Sequence, residues 1–481
     1  MNGDMRPNIL IFMTDQEQAQ VCEPGHPCRT PHADRLAAEG IQFRQAYTPS
    51  AHCCPSRATF MTGLYPSRHG VWNNVLNSSA FHTGINPGIP MFSEVLRAAG
   101  YELAYAGKWH VSGVEHPRDR GWNQYFSTCL PGDFHGVRWA DWQRTMRQFD
   151  RKTPRRRGEL IQPGIRRYPL YGTRSPDPQC DPFDPGDLRK VQAGIHALRD
   201  LAAQEKPWCL FVGIDAPHDP FILPAHYARM YDPADVDLPP NFHDDLSDKP
   251  CVYQRMRRFW DQLGEDETRE AIAHYWGACT MADDLLGMIL DALDQTGQAE
   301  NTLVIFLADH GEAAGAHGLF MKGFAAFEEC YRVPCIMRWQ RGILQPGRVV
   351  DEFITLADFA PTLVELAGAA AQPASGRSLL PFLHGEQPAN WPGEVCSQFN
   401  GIELYFSQRF VRTRDWMYVY NGSDTDELYN LRSDPQCLHN LANDDRCAEV
   451  IQDLCTRMWH KAQAENDCIL YTLSVSPPYG P

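Results

Sequence analysis

Runs of continuous apolar residues, each ending on polar or charged groups, recur through the first three quarters of the chain. Ile9-Leu10-Ile11-Phe12-Met13, Tyr101 to Ala106, Trp208 to Ile214 and Leu303 to Ala308 do not alternate, so each reads as a strand buried on both faces. Helical patterns lie between them. Ala33 to Glu39 is closed by Gly40, Phe92 to Ala99 by Gly100, and a longer periodic stretch covers about 267–295. Apolar strands separated by helices predict a large α/β domain whose mostly parallel, mixed sheet is covered by helices on both faces. Ligands of such sheets gather at the carboxyl ends of the strands. The polar residues fall there: Asp15-Gln16, Lys108 and His110, His218, and Asp309-His310.

The pattern breaks twice. Between Gly132 and Gly186 it gives way to Arg, Pro and Gly, which reads as an irregular insertion. After Leu366-Ala367-Gly368 comes a loop rich in Ala, Pro, Gly and Ser. The expected division is therefore a catalytic α/β domain over 1–370 and a smaller α+β domain over 371–481. The latter would hold a short antiparallel sheet, with a strand at Trp416 to Tyr420 and a helix at Arg446 to Glu465. The strand-like stretch Ile469 to Val475, within the tail Leu470 to Pro481, suggests a crossing to a neighbouring subunit in a homo-oligomer.

Composition narrows the function classes. With 44 Lys+Arg against 60 Asp+Glu the net charge is −16, which on average repels nucleic-acid phosphates. No apolar run reaches the ~18 residues needed to cross a bilayer. The stretch Asn8 to Met13 is too short for a signal-peptide core. The 16 cysteines are scattered without a C-x-x-C pair, so reduced thiols and a cytoplasmic location are the expectation.

The chemistry is concentrated in Cys53-Cys54-Pro55-Ser56-Arg57, followed by Ala58-Thr59-Phe60-Met61-Thr62-Gly63. Ser56 onward reads as helix, which places residue 53 near a helix N-terminus that favours negative charge, with Arg57 one turn on. This stretch resembles the signature of the type I sulfatases in the alkaline phosphatase superfamily. The resemblance implies oxidation of a cysteine to Cα-formylglycine, whose hydrated aldehyde is the nucleophile, by a formylglycine-generating enzyme. Only Cys53 has Pro at +2 and Arg at +4, so the register assigns the modification to Cys53. It further implies a divalent-cation site of Asp15, Gln16, residue 53, Asp309 and His310. Ca²⁺ is the first expectation, and the imidazole opens Mn²⁺ or Zn²⁺ as alternatives. The Gln/His pair in that set resembles the choline-sulfatase-like and phosphonate-monoester-hydrolase branches.

Three further elements match the same family: Gly107-Lys108-Trp109-His110, Pro217-His218-Asp219-Pro220, and Lys322 after His317-Gly318. By resemblance, Lys108 and Lys322 bind sulfate oxygens, His110 is the base that releases sulfate, and His218 with Lys322 serves the leaving oxygen. Glu312 is expected to be a hydrogen-bond partner rather than a ligand, and Cys54 to pack. The expected activity is hydrolysis of a small-molecule or carbohydrate sulfate ester to inorganic sulfate and an alcohol. A phosphonate monoester or phosphodiester substrate at the same site is the alternative, as is a silent metal-binding homologue if Cys53 stays unmodified. Arg144, Arg147, Arg151, Lys152, Arg155, Arg156, Arg157, Arg166 and Arg167 concentrate positive charge in the insertion. Two readings stand for them: a solvated loop, or a steering surface for anionic substrate at the site's mouth.

Overall fold

The computed structural model describes residues 6–77, 79–133, 143, 154–162, 166–402 and 405–471. Its main sheet has eight strands: β1 (Asn8–Asp15), β2 (Ile41–Phe43), β3 (Glu102–Lys108), β4 (Asn123–Thr128), β5 (Trp208–Pro217), β6 (Thr302–Ala308), β7 (Cys335–Arg338) and β8 (Arg348–Val350). Their spatial order is β8-β2-β7-β6-β1-β5-β3-β4. All neighbours run parallel except at β7, which is antiparallel to both β6 and β2. The expected mostly parallel, mixed sheet is therefore observed, and the four apolar runs are four adjacent strands of it, β6-β1-β5-β3.

Alternate side chains of each of these strands feed two separate apolar layers, as a period of two requires. From β1, Leu10 and Phe12 enter one layer, and Ile9, Ile11 and Met13 the other. Helices α1 (Pro31–Glu39), α4 (Pro185–Ala202) and α5 (Glu265–Gln295) cover the first. Helices α2 (Cys53–Thr62), α3 (Phe92–Ala98) and α6 (Phe359–Leu366) cover the second. At the carboxyl edge Gly107 of β3 lies opposite Gly213 of β5, with φ +115°. A Cβ on Gly107 would stand 1.8 Å from the Gly213 carbonyl oxygen, so no side chain fits.

A second sheet follows: β9 (Glu394–Cys396), β10 (Arg409–Thr413), β11 (Trp416–Tyr420) and β12 (Glu427–Asn430), antiparallel in that order. Its Val411, Tyr418 and Leu428 pack on Ile451, Leu454 and Met458 of α7 (Ala448–Ala464). Its other face, with Phe410, Met417, Val419 and Tyr429, joins the first layer of the large core. The small sheet thus shares its core with the large one.

Two expectations need correction. The stretch 132–186 is not wholly irregular. Glu159–Gln162 pairs antiparallel with Arg166–Pro169, and Tyr171–Thr173 lies parallel to Phe221–Leu223. Leu160 and Leu170 are fully buried, which a surface loop would not allow. Its arginines are also partly spent within the fold: Arg155 pairs with Glu267, and Arg157 with Glu270 at 2.7 Å, both on α5. Arg167 pairs with Glu159 at 3.1 Å. Arg155 and Arg157 thus dock the insertion on α5, Arg167 pairs within it, and Tyr168 of the insertion donates to Asp219. Arg144, Arg147, Arg151, Lys152 and the side chain of Arg166 lie outside the described residues. The second correction concerns the tail. Residues 469–471 form a helical turn, with Leu470 N–H donating to Asp467 and Tyr471 N–H to Cys468. The remainder of the proposed crossing strand is outside the described residues.

The C-terminal segment is tied down by Arg409 Nε and Nη2 donating to Asp467 at 2.6 and 2.9 Å, with side chains 3% and 1% exposed. Removing one member of such a pair strands a buried charge, at a cost of about 3–5 kcal/mol. Urea unfolding of Arg409→Met is expected to show that loss. The double variant Arg409→Met/Asp467→Leu, which leaves no orphaned charge, is expected to recover most of it.

Candidate active site

Arg57 organises the carboxyl edge of the sheet. It sits one turn into α2, is 1% exposed, and points its guanidinium across the ends of three strands. Nε donates to Asp309 Oδ2 (2.7 Å), Nη2 to Asp15 Oδ2 (3.0 Å) and Nη1 to the Lys108 carbonyl (3.2 Å). The flat guanidinium with donors in several directions is what lets one residue make three such bonds. Ser56 Oγ donates to the Asp309 carbonyl, which fastens the helix start to the end of β6.

Four ligating atoms converge above it. Those of Asp15, Cys53, Asp309 and His310 all lie within 4.8 Å of one another, and all four residues are buried. Cys53 Sγ is 3.2 Å from His310 Nε2 and 3.8 Å from Asp15 Oδ1. His310 Nδ1 donates to the Gly311 carbonyl at 2.9 Å, which leaves the Nε2 lone pair facing the cluster. Burial holds the His310 pKa below its ordinary value, so the imidazole is in the neutral form a ligand needs. Two carboxylates, an imidazole and the residue-53 side chain form a donor set that suits a divalent cation. Beside this cluster Gln16 accepts with its amide oxygen from Lys322 Nζ, while its Nε2 donates to Asp219 Oδ1 at 2.9 Å and to Glu312. Gln16 is buried at φ +70°, a strained conformation for a side-chain-bearing residue. Tyr275 Oη donates to its carbonyl at 3.0 Å and holds that bend.

The cationic groups ring the same point. Lys108 Nζ lies 2.7 Å from Asp15 Oδ2 and 3.8 Å from Asp215 Oδ1. Burial would lower the Lys108 pKa, but Asp15, Cys53 and Asp215 raise it well above normal. Burial would likewise raise Asp15, but Lys108, His218, Arg57 and His310 hold it well below the usual carboxylate range. Lys322 Nζ stands 2.5 Å from His218 Nε2, and His218 Nδ1 is 2.6 Å from the Asp219 carbonyl. Lys322 is pulled down by burial and more than restored by Cys53, Asp219 and Asp15, so it stays charged. His110, at φ +47°, has a buried Nδ1 without a hydrogen-bond partner among the described residues. Burial, then Lys108 and Arg57, push its pKa well below normal, leaving a neutral imidazole able to accept a proton.

All ten residues singled out from sequence meet here. Glu312 takes the hydrogen-bonding place expected of it. Burial and Asp219 push its pKa up to about 7. Cys54 points into the apolar layer with its Sγ accepting from Val75 N–H at 3.4 Å. Sequence reasoning missed three participants. His52, 1% exposed, has neither ring nitrogen partnered among the described residues. Burial, then Lys322 and His310, hold its pKa well below normal. Asp187 accepts from the Asp215 and Ala216 N–H groups (2.8 and 2.9 Å), and Lys190 bridges Asp187 (2.8 Å) and Asp215. That buried pair fixes the end of β5 and the anion beside Lys108. A helical i,i+3 Asp-Lys pair is the only sequence signal for it.

Comparison with known proteins gives a consistent picture. The model of the family described as Sulfatase matches residues 7–369, and that described as N-sulphoglucosamine sulphohydrolase, C-terminal, matches residues 315–464. The uncharacterized sulfatase YidJ of Escherichia coli K12 is 31% identical, over 92% of this chain and 85% of that protein. The choline-sulfatase of Rhizobium meliloti is 28% identical, over 92% and 83%. Among solved structures, the phosphonate monoester hydrolase of Silicibacter pomeroyi superposes with a TM-score of 0.76 at 22% identity, covering 97% of each chain; it shares the fold.

The donor set predicts one tight divalent-cation site. Asp15→Asn and Asp309→Asn each remove a charged ligand while keeping the shape. Each is expected to weaken cation binding at least tenfold by titration calorimetry on chelator-stripped protein, the scale reached even by loss of outer-shell partners. Asp219→Asn, one hydrogen bond removed from the donors, is expected to do so less.

Proposed function

The chain belongs to the sulfatase family, and from that premise we propose that it hydrolyses sulfate esters to inorganic sulfate and an alcohol, using a formylglycine made from Cys53. The observation that carries this reading is the position of Cys53: first residue of a buried helix, facing two carboxylates and an imidazole, with Lys108, Lys322 and His218 around it. A hydrated aldehyde there supplies two hydroxyls on one carbon, one to attack sulfur and one whose deprotonation re-forms the carbonyl. Asp15, Gln16, residue 53, Asp309 and His310 would hold a divalent cation, Ca²⁺ by preference or Mn²⁺ or Zn²⁺, which would supply positive charge at this point of the site.

The chain's own groups do the rest. Lys108 and Lys322, kept charged by their neighbours, bind the sulfate oxygens and hold the sulfur over residue 53. Arg57, expected to hold the nucleophile's oxygens, has Nε, Nη1 and Nη2 engaged by Asp309, the Lys108 carbonyl and Asp15, so its part is to fix those groups. His110, neutral with a free nitrogen, takes the proton whose removal releases sulfate. His218 donates through Nδ1 to Asp219, so its Nε2 and Lys322 Nζ face each other and share the proton offered to the leaving oxygen. The C-terminal match to the family described as N-sulphoglucosamine sulphohydrolase supports a sulfated sugar as the class of substrate. The Gln16/His310 pair favours a second reading, phosphonate monoesters or phosphodiesters at the same site. The complete polar set speaks against a silent homologue. Among the described residues no helix is long and apolar enough to cross a membrane. A maturation enzyme of the formylglycine-generating type is the implied partner.

Cys53→Ala is expected to abolish turnover while Cys54→Ala keeps most of it. Peptide mass spectrometry across residue 53 should show the aldehyde in place of the thiol. A thiol in active protein would sink the mechanism. His110→Ala is expected to lower kcat by about 10²–10⁴-fold, the range for loss of a general base. A panel of sulfate, phosphodiester and phosphonate esters sharing one leaving group should show the highest kcat/KM for the sulfate; a phosphonate in first place would select the second reading.

A further inference from the structure

Three side chains near the site have no part in that chemistry. His52 immediately precedes Cys53. The ring tilts against Phe399, 6.5 Å between centroids, and lies in the field of Lys322, His310, Asp15 and His218. An imidazole always carries one N–H or more, and a neutral one also a lone pair. Both nitrogens of His52 are buried with no partner among the described residues, an unfavourable state unless a ligand meets them.

The other two are Phe81 and Tyr405, 47% and 66% exposed, stacked with centroids 4.4 Å apart and planes at 30°. Both are tethered to the active site. Phe81 N–H donates to Asn73 Oδ1 at 3.0 Å, and the next residue, Asn74, accepts from Cys54 N–H at 3.0 Å. On the Tyr405 side, Ser79 Oγ donates to the Ile402 carbonyl at 2.9 Å. Ile402 lies so close to Gly323, the neighbour of Lys322, that a Cβ there would stand 2.3 Å from Ile402 Cδ1. The aromatic pair therefore joins the segment that follows α2 to the segment that packs on the Lys322 loop, one side from each half of the chain.

We propose that His52, Phe81 and Tyr405 form the subsite for the alcohol half of the substrate, and that its occupant is the pyranose ring of a sulfated sugar. The inference rests on the sulfate-ester reading above. An aromatic face is electron-rich and attracts C–H edges, and a pyranose presents a flat C–H face with hydroxyls at its rim. Two rings stacked on each other offer outer faces but cannot enclose a quaternary ammonium as an aromatic cage does. His52 offers a hydrogen bond that a sugar hydroxyl meets and a trimethylammonium group does not.

The test compares full-length protein with residue 53 converted, as checked by peptide mass, on two kinds of ester. One is a panel of pyranose monosulfates esterified at positions 2, 3, 4 or 6; the other is ring-less choline sulfate. For the best sugar sulfate, Tyr405→Ala, Phe81→Ala and His52→Ala are each expected to lower kcat/KM about tenfold, mainly through KM. Choline sulfate turnover should stay within twofold in Tyr405→Ala and Phe81→Ala. His52→Asn, which keeps a short hydrogen-bonding group, should recover part of the His52 loss, and all variants should keep the wild-type melting temperature. Equal losses on both esters, no loss on the sugar, or wild-type turnover of choline sulfate alone would each overturn the sugar subsite. A converted wild-type enzyme that hydrolyses neither ester would instead overturn the sulfatase reading beneath it.

Discussion

One buried guanidinium carries the architecture of the site. β1 and β6 are parallel neighbours with Thr14 opposite Ala308, so their next residues, Asp15 and Asp309, emerge side by side. Two carboxylates at 0% exposure would repel one another and lose their hydration. Arg57 answers both at once and takes the Lys108 carbonyl with its remaining end. Lys108 adds a second positive charge on Asp15. Two cations against two anions leave these four groups balanced. A divalent cation entering the cluster would then keep most of its charge for an anionic ester rather than lose it to its ligands.

The same economy extends outward. Lys190 and Asp187 pin the backbone at Asp215 and Ala216, which sets both the anion behind Lys108 and the approach to His218. Gly107 and Gly213 allow β3 and β5 to close up there, so that Lys108 and the end of β5 reach one point. The second sheet is part of this construction. Its inner face shares the main core, and the segment between its first two strands places Phe399 against His52 and Ile402 against Gly323.

The fold was legible because buried parallel strands write themselves as unbroken apolar runs, and each polar cluster follows directly on such a run. That the ten candidate residues would come together was legible because short motifs fix their spacing and place them at strand ends. What the sequence concealed depends on long-range contacts. The arginines at 155 and 157 look like free charge until α5 presents Glu267 and Glu270 more than a hundred residues away. His52 carries no motif, and only its burial without partners among the described residues reveals it. Ile469 to Tyr471 has strand-like side chains, yet the backbone turns helically after Asp467, whose carboxylate is already engaged by Arg409. Local propensity lost there to a tertiary ion pair.

The burial of Cys53 has a consequence for the order of events in biosynthesis. In the folded chain this residue is 1% exposed and begins a helix whose every residue is buried. A separate enzyme that must grip several residues of extended chain cannot reach it there. If residue 53 is converted as proposed, its oxidation would have to outrun the closing of α2 onto the sheet. Maturation would then be a kinetic race, with the fraction of active molecules decided while the chain emerges. Slower folding, or synthesis at a temperature that delays it, would widen the window, and molecules that fold first would be locked as thiols.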